Sequence, residues 1–224
     1  IKKGNREFTT HTGTLKGKRI TVVSTGIGTD NIDIVLNELD ALVNIDFGSR
    51  EIKSDKIQLD IVRVGTSGAI QPQIPVDSFL QSKYALGFDN LIHFYQSDAI
   101  QNPVIQNAFI THTQWSRNKS IPYFVECNRS LAKKFQSDRM LDGLTATNVG
   151  FYGPQGRMLR LKPEDEELNS KLTSFHFKGL KITNLEMETS GIYGLSKLLG
   201  HRAVSLNCIL ANRSTGEFSK DPDK

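Results

Sequence analysis

The alternation of apolar and polar positions divides the chain into strands that end in glycine and helices with one apolar face. The run Arg19–Ser24 has a β-branched centre, which predicts a strand buried on both faces, and Gly26 and Gly28 follow it. In the next segment, which Asp30 and Asn31 can cap, apolar side chains recur at helical spacing: Ile32, Val35, Leu36, Leu39, Leu42 and Val43. This order of strand, turn and helix predicts half of a βαβ unit.

A second strand with the same ending is predicted at Leu59–Val64, which runs into Gly65–Gly68. The polar segment Asp46–Lys56 before it predicts an exposed excursion. Turns of this kind place backbone N–H groups at the carboxyl edge of a sheet, where α/β proteins bind ligands.

The second half of the chain continues to mix strand and helix patterns. The predicted elements are a strand at Leu144–Tyr152 closed by Gly153–Arg157, a polar helix at Glu164–Thr173, a helix opening at Asn184–Glu188 and ending at Gly200, and a buried strand at Ala203–Ala211. No repeat, low-complexity tract or linker divides the sequence. We therefore predict a single α/β domain over residues 1–224, with a central mixed β-sheet flanked by helices.

Composition supports a globular protein and removes several classes of function. The chain has 224 residues, 38% of them apolar and 23% charged, which excludes disordered and fibrous proteins. A net charge of +4 with scattered positive residues does not indicate a nucleic-acid surface. The sequence contains no run of about 18 apolar residues, so it predicts no membrane-spanning helix. Cys127 and Cys208 lack metal-type spacing and suit a reducing compartment, so we expect a cytoplasmic protein.

The segment around Arg63 is a candidate oxyanion site. Its guanidinium, the hydroxyls of Thr66 and Ser67 and the backbone N–H groups of Gly65–Gly68 suit a group such as phosphate. An ordinary turn with a surface arginine is the alternative, and it is favoured when this segment is taken alone. The earlier turn, Ser24–Gly28, contains GxG without a third glycine, and the chain has no GxxxxGK[ST] motif. The sequence therefore gives little support to dinucleotide binding or to P-loop nucleotide binding.

Two further polar pairs are candidates for chemistry. Gln155, which precedes Gly156 and Arg157, offers a donor and an acceptor side by side, as a planar imide requires, although a polar turn is the alternative. Glu186 and Glu188 would point to different faces of a helix. We interpret Glu186 as a first-turn charge favoured by the helix dipole and Glu188 as functional. The five histidines show no metal-ligand spacing and no serine elbow motif is present, which argues against a zinc or serine hydrolase.

Taken together, six segments in this order resemble the uridine phosphorylases of the nucleoside phosphorylase family. They are Arg6-Glu7-Phe8, Ser24-Thr25-Gly26-Ile27-Gly28, Arg63-Val64-Gly65-Thr66-Ser67-Gly68-Ala69, Gln155-Gly156-Arg157, Glu186-Met187-Glu188 and Asn212-Arg213. The resemblance implies a nucleoside phosphorylase-like fold and a homo-oligomer, either a dimer or a trimer of dimers. It also implies a reaction in which inorganic phosphate is the co-substrate and cleaves uridine to uracil and ribose 1-phosphate. No cofactor is required for this reaction.

The same resemblance implies a role for each matched residue. The implied phosphate ligands are Gly26, Arg63, Thr66 and, lent to a neighbouring subunit, Arg6. The implied ribose ligands are Thr66, Met187 and Glu188, and the implied base ligands are Phe151, Gln155 and Arg157. Of these residues, Arg63, Glu188 and Arg157 would carry the catalysis, because phosphorolysis builds positive charge on the sugar and negative charge on the leaving base.

Departures from the family pattern leave alternatives open. Asn212-Arg213 stands where purine-specific relatives carry an aspartate, which favours a pyrimidine. Glu7 and Ile27 match positions around a potassium site, with Asn31 in place of a serine, so a monovalent cation is a candidate ligand. The family's N-terminal phosphate loop and closing helix would lie before Ile1 and after Lys224, so we expect an incomplete sequence. The alternatives are a purine nucleoside phosphorylase or nucleosidase of the same fold, or a non-catalytic nucleoside-binding protein.

Overall fold

The computed structural model describes residues 1–5 and 7–222, and within them the chain forms strands and helices in alternation. The strands are β1 Lys2–Asn5, β2 Phe8–Leu15, β3 Lys18–Val23, β4 Ile45–Asp46, β5 Glu51–Ile52, β6 Asp60–Ala69, β7 Phe79–Gly87, β8 Tyr123–Glu126, β9 Met140–Thr147, β10 His176–Phe177, β11 Leu180–Glu186, β12 Arg202–Asn212 and β13 Glu217–Phe218. The α-helices are α1 Thr29–Asn44, α2 Pro103–Thr113, α3 Arg129–Ala132, α4 Leu168–Ser174 and α5 Thr189–Leu198. This architecture confirms the predicted α/β domain.

The central sheet is mixed, as predicted, and it closes on itself. Its strands follow the order β12-β6-β11-β9-β7, and β7 pairs back with β12, so five strands form a barrel. Strand β6 runs parallel to β12, and β7, β9 and β11 run parallel to one another in the opposite direction. The register of β6 and β12 places Arg63 beside Ser205 and Gly65 beside Asn207.

The barrel carries polar side chains among its buried residues, and the apolar clusters lie between strands and helices. Ser67, Ser82, Thr145, Asn184 and Asn207 come from five different strands, are buried, and hydrogen-bond to one another. One apolar cluster contains residues of α1, α5 and β8, and another contains residues of α2, α4 and β11. Because buried polar groups are costly unless paired, this network fixes side-chain positions more narrowly than apolar packing would.

Helices α1 and α5 approach each other closely through a small residue. A Cβ atom on Gly191 would lie 3.1 Å from the Thr29 Cγ2 atom, so the glycine lets α5 contact the start of α1 without displacing that side chain. The turn before α1 contains Gly26 and Gly28 with φ of 70° and 96°, in the region that favours glycine. The packing brings this turn to the start of α5, where Glu188 lies.

Several sequence-based expectations are wrong. Strand β3 is not buried on both faces: Ile20 and Val22 are 43% and 64% exposed. It lies in a small antiparallel sheet with β1 and β2, separate from β6, so the βαβ unit is not formed. Strand propensity reflects side-chain shape and cannot tell which sheet a strand joins.

The glycine-rich segment Gly65–Gly68 is also not a turn, because β6 continues through it to Ala69 in register with β12. The helix predicted to open at Asn184 begins at Thr189, since Leu180–Glu186 is strand β11. The polar helix is confined to Leu168–Ser174. None of the helices in residues 1–5 and 7–222 is long and apolar enough to cross a membrane.

Candidate active site

Arg63 and Glu188 form a buried ion pair at the junction of β6 and α5. The Arg63 Nη2 atom donates to Glu188 Oε2 at 2.7 Å and lies 3.3 Å from Glu186 Oε2. On the other side, Arg63 Nη1 donates to Asn207 Oδ1 at 2.9 Å. Only 13% of the Arg63 side chain is exposed. A guanidinium has five N–H groups, so these contacts still leave donors for an anion.

The charge on Arg63 is secured by its surroundings. Desolvation on burial acts to lower the pKa of the Arg63 guanidinium, but the charges of Glu186 and Glu188 outweigh it and raise that pKa. A cation whose charge is matched by nearby carboxylates does not have to lose its proton in order to be buried. Arg63 is thus a fixed cation, whereas a surface arginine in a turn would be mobile.

The turn before α1 contacts the same glutamate. The backbone N–H of Gly28 donates to Glu188 Oε1 at 2.8 Å, so the two carboxylate oxygens of Glu188 face Gly28 and Arg63. Gly26 lies two residues earlier, and a Cβ there would come within 2.5 Å of the Asn31 amide nitrogen. The structure therefore joins the two glycine-containing segments of the sequence through Glu188.

Glu186 has a capping role at the start of α5. Its Oε2 atom accepts from the backbone N–H groups of Glu188 and Thr189, both at 2.9 Å, and from the Thr189 hydroxyl at 2.8 Å. The carboxylate ends β11, yet it satisfies N–H groups at the beginning of the helix, where negative charge is favoured. This contact holds the backbone that carries Glu188.

A second cluster forms around Gln155, which is 3% exposed. Its Oε1 atom accepts from Arg157 Nη1 at 2.9 Å and from Arg213 Nη2 at 2.5 Å. Arginine can only donate, so the Gln155 carbonyl must face the two guanidinium groups and its amide N–H groups face away. This differs from the expectation that Gln155 presents a donor and an acceptor together, because its acceptor is already engaged.

The arginines of this cluster carry positive charge that is poorly compensated. Desolvation and, to a smaller extent, the charge of the neighbouring Arg157 lower the pKa of Arg213 to about 10. Desolvation also lowers the pKa of Arg157, against a smaller opposing effect of Tyr152. The Arg157 guanidinium stacks on Phe151, with its carbon 3.8 Å from the ring centroid. A ligand that develops negative charge here would relieve the repulsion between the two arginines.

The remaining predicted site residues are Thr66, Met187, Phe151 and Arg6. Thr66 is exposed and, by strand alternation, lies on the face of β6 opposite Arg63. Met187 is half-buried between β11 and α5, and Phe151 is exposed beside Tyr152. Arg6 lies outside the described residues. The ligand roles of these four residues stay predictions.

At the positions that match the potassium site, Asn31 Nδ2 donates to the Ile27 carbonyl oxygen at 3.1 Å. A monovalent cation at these positions stays a prediction. The part of the chain that the structure describes contains no cluster of three or more His, Cys, Asp or Glu side chains suited to a metal ion.

Three contacts of the site were not predicted from the sequence. Asn207 and Ser205 lie beside Arg63, and Arg213, noticed only as a departure from purine enzymes, is bonded to Gln155. The available signal for Ser205 and Asn207 was a pair of polar residues two positions apart, and so on one face, within an otherwise apolar strand. Arg213 Nε would lie 3.4 Å from a Cβ on Gly68, five residues after Arg63, so both clusters adjoin strand β6.

Comparisons with known proteins agree with this geometry. A family model described as the phosphorylase superfamily matches residues 1–223. The uridine phosphorylase of Thermococcus kodakarensis is 30% identical, over 98% of this chain and 68% of its own length. The uridine phosphorylase of Escherichia coli is 27% identical over 96% of this chain and 72% of its own, and a DeoD-type purine nucleoside phosphorylase of Listeria monocytogenes is 26% identical over 92% and 69%.

Solved structures show the same relationship. A nucleoside phosphorylase of Trypanosoma brucei, described as showing uridine phosphorylase activity, superposes with a TM-score of 0.86 and 27% identity. The match covers 97% of this chain and 79% of the Trypanosoma chain. This chain belongs to the phosphorylase superfamily.

Proposed function

We propose that this chain is a uridine phosphorylase, which uses inorganic phosphate to cleave uridine to uracil and ribose 1-phosphate. The observation that carries the proposal is the pair of clusters that adjoin β6, one around Arg63 and one around Gln155. One is a charge-neutralised arginine beside a glutamate, and the other is a glutamine held by two uncompensated arginines. The similarity to uridine phosphorylases supports the same activity.

At the first cluster, the free N–H groups of Arg63 bind phosphate. Glu188 Oε1 and Oε2 each accept one hydrogen bond from the protein, and a carboxylate oxygen can accept more than one. Glu188 can therefore accept from ribose hydroxyls while it holds Arg63. This arrangement places the anionic nucleophile and the sugar beside one ion pair, which supplies the orientation that the displacement needs.

At the second cluster, the groups offered to the base are donors. The Gln155 amide N–H groups, with Arg157 and Arg213 behind the carbonyl, can donate to a carbonyl oxygen of uracil. Negative charge spreads over the two carbonyl oxygens as the glycosidic bond breaks, so these donors stabilise the leaving base in the transition state. Cytosine presents an amino group at the position of one carbonyl and would place a donor against donors.

The proposal is tested by release of free base from uridine, thymidine, inosine and adenosine, each with and without phosphate. We expect uracil from uridine only when phosphate is present. Base release without phosphate would instead identify a nucleosidase, and preference for inosine or adenosine would identify a purine nucleoside phosphorylase. If none of the nucleosides is cleaved, the remaining interpretation is a non-catalytic nucleoside-binding protein. Glu188→Gln provides the inactive control.

We also propose a homo-oligomeric active form, in which Arg6 of one subunit contributes to a neighbour's phosphate site. This part rests on the resemblance of Arg6-Glu7-Phe8 to the family. Subunits carrying Arg6→Ala and subunits carrying Glu188→Gln would each be inactive, but mixing them would restore some turnover, because a hybrid interface contains one intact site. Full activity in a monomer, measured by light scattering alongside kinetics, would contradict the shared site.

A further inference from the structure

A chain of buried hydrogen bonds with one direction ends at Arg63. Thr145 donates its hydroxyl proton to Asn184 Oδ1 at 2.9 Å. The Ser82 and Thr145 hydroxyls lie 2.5 Å apart, and because the Thr145 proton is already used, Ser82 must donate to Thr145. Ser82 Oγ in turn accepts from Asn207 Nδ2 at 3.1 Å. The amide nitrogen of Asn207 is therefore turned towards Ser82.

This direction leaves the Asn207 carbonyl oxygen for Arg63. Arg63 Nη1 donates to Asn207 Oδ1 at 2.9 Å, and Asn207 is 2% exposed. The opposite amide orientation would place an N–H group against a guanidinium that has only donors, and both groups are buried. The carbonyl of Asn207 is thus held as an acceptor whose position does not depend on solvent.

Arg63 is held from two further sides. Glu188 accepts from Nη2, and the absence of a side chain at Gly65 leaves the space that the guanidinium fills, since a Cβ there would come within 2.7 Å of Arg63 Cζ. Asn207, like Ser205 Oγ at 3.4 Å from Nη1, holds the guanidinium through a neutral acceptor. A neutral acceptor can fix the plane of the guanidinium without placing a further negative charge beside a bound anion.

We propose that Asn207 is a positioning residue for phosphate binding, which orients the Arg63 guanidinium through the barrel network. The inference rests on the proposed phosphate role of Arg63. Asn207 belongs to none of the motifs identified in the sequence, and it lies on strand β12.

The test is a double-mutant cycle on phosphate binding. We expect Asn207→Ala to raise the KM for phosphate on the order of 10-fold, while the KM for uridine changes less than about 3-fold. In an Arg63→Ala background the same substitution should change the KM for phosphate less than about 2-fold, because Asn207 acts only through Arg63. Arg63→Lys serves as a second background, since one ammonium cannot hold Glu188 and Asn207 as a planar guanidinium does.

A matched control separates positioning from loss of stability. The control is Val204→Ala. Val204 lies on the same strand as Asn207, is fully buried in an apolar cluster, and belongs to neither cluster of the site. The substitution should lower the melting temperature and leave the KM for phosphate unchanged. If Asn207→Ala does not fold, Ser82→Ala removes the acceptor that orients the amide and should raise the KM for phosphate about 3-fold, again only when Arg63 is present.

An unchanged KM for phosphate in the folded Asn207→Ala protein would overturn the inference. So would a rise in the KM for phosphate that is as large in the Arg63→Ala background as in the wild-type background. The rise in melting temperature on adding inorganic phosphate measures the same binding without turnover. Wild-type protein that is stabilised by phosphate but does not cleave uridine would contradict the proposed function. A reduced shift in Asn207→Ala would still support the positioning role in that case.

Discussion

The two arginine clusters of the site are built in opposite ways. Arg63 lies on a barrel strand, between two carboxylates and an amide oxygen, and its pKa is raised. Arg157 and Arg213 converge on one uncharged glutamine, and the pKa of each is lowered. The first cluster is complete before a ligand arrives, whereas the second improves electrostatically when a negative group enters. Under the proposed function, the first cluster would bind the permanent anion, phosphate, and the second would stabilise the negative charge that appears on the base only during the reaction.

Removing the permanent cation should have the largest effect. Arg63→Ala should raise the KM for phosphate about 10- to 150-fold, because a charged hydrogen bond contributes about 1.5–3 kcal/mol. It should also lower the melting temperature, since Glu186 and Glu188 would lose their counter-charge. Steady-state kinetics with each substrate varied would check this.

The control for that prediction is Arg202→Ala, which removes an arginine paired with Asp60 at the beginning of β12 and should leave both KM values unchanged. A phosphate requirement that stays at the wild-type level in Arg63→Ala would remove Arg63 from the phosphate site.

Changing the second cluster should alter base choice. We expect uridine to exceed cytidine by at least roughly 100-fold in kcat/KM, because unmatched buried polar groups cost about 1–3 kcal/mol each. Gln155→Ala should lower uridine turnover and narrow this gap about 10-fold, with the KM for phosphate unaffected. Competition assays with the two nucleosides measure the ratio directly. Intact discrimination in Gln155→Ala, or cytidine cleaved as well as uridine, would show that the base pocket lies elsewhere.

A steric change can displace Arg63 without removing it. Gly65→Ala adds a Cβ within 2.7 Å of Arg63 Cζ at a backbone conformation that alanine accepts, so the guanidinium must shift. We expect the KM for phosphate to rise about 5-fold, less than in Arg63→Ala because the charge remains. Gly13→Ala on β2 is the matched control, because a Cβ there meets no atom within 4 Å. Equal phosphate kinetics in the two variants would argue against a fixed guanidinium.

The smallest effect is expected at the exposed ring beside the second cluster. Phe151→Ala removes the surface on which the Arg157 guanidinium lies, and such a contact contributes about 0.5–1 kcal/mol at an exposed position. We expect kcat/KM for uridine to fall about 2- to 5-fold, while the KM for phosphate stays constant. If the KM for phosphate rises by as large a factor as kcat/KM for uridine falls, the two clusters are not independent.

Short segments of the sequence made Arg63, Glu188 and Gln155 candidates, and the resemblance to uridine phosphorylases implied their roles, which stay predictions. Arg63 lies two residues before Gly65, Glu188 directly precedes helix α5, and Gln155 lies two residues from Arg157, so each candidate stands within one short segment. Asn207 could not be connected to Arg63 in this way, because 144 residues separate them and only the pairing of β6 with β12 makes them neighbours.

The errors in the fold have a similar cause. The β-branched residues of β3 and the glycines of β6 give correct local preferences, namely extended backbone and little side-chain volume. Whether such a strand is covered, or continues through its glycines, depends on pairing partners elsewhere in the chain. The sequence pattern therefore predicted a mixed sheet, but could not predict that the sheet closes or that its buried side chains include a polar network.

The most direct measurement of the central claim is the product balance of uridine cleavage, followed by phosphorus NMR together with uracil absorbance. Wild-type protein should consume one inorganic phosphate and form one ribose 1-phosphate for each uracil released, and uracil release should stop when phosphate is exhausted. Uracil that accumulates while the inorganic phosphate signal stays constant would contradict the account, because the fixed cation at Arg63 would then serve no nucleophile.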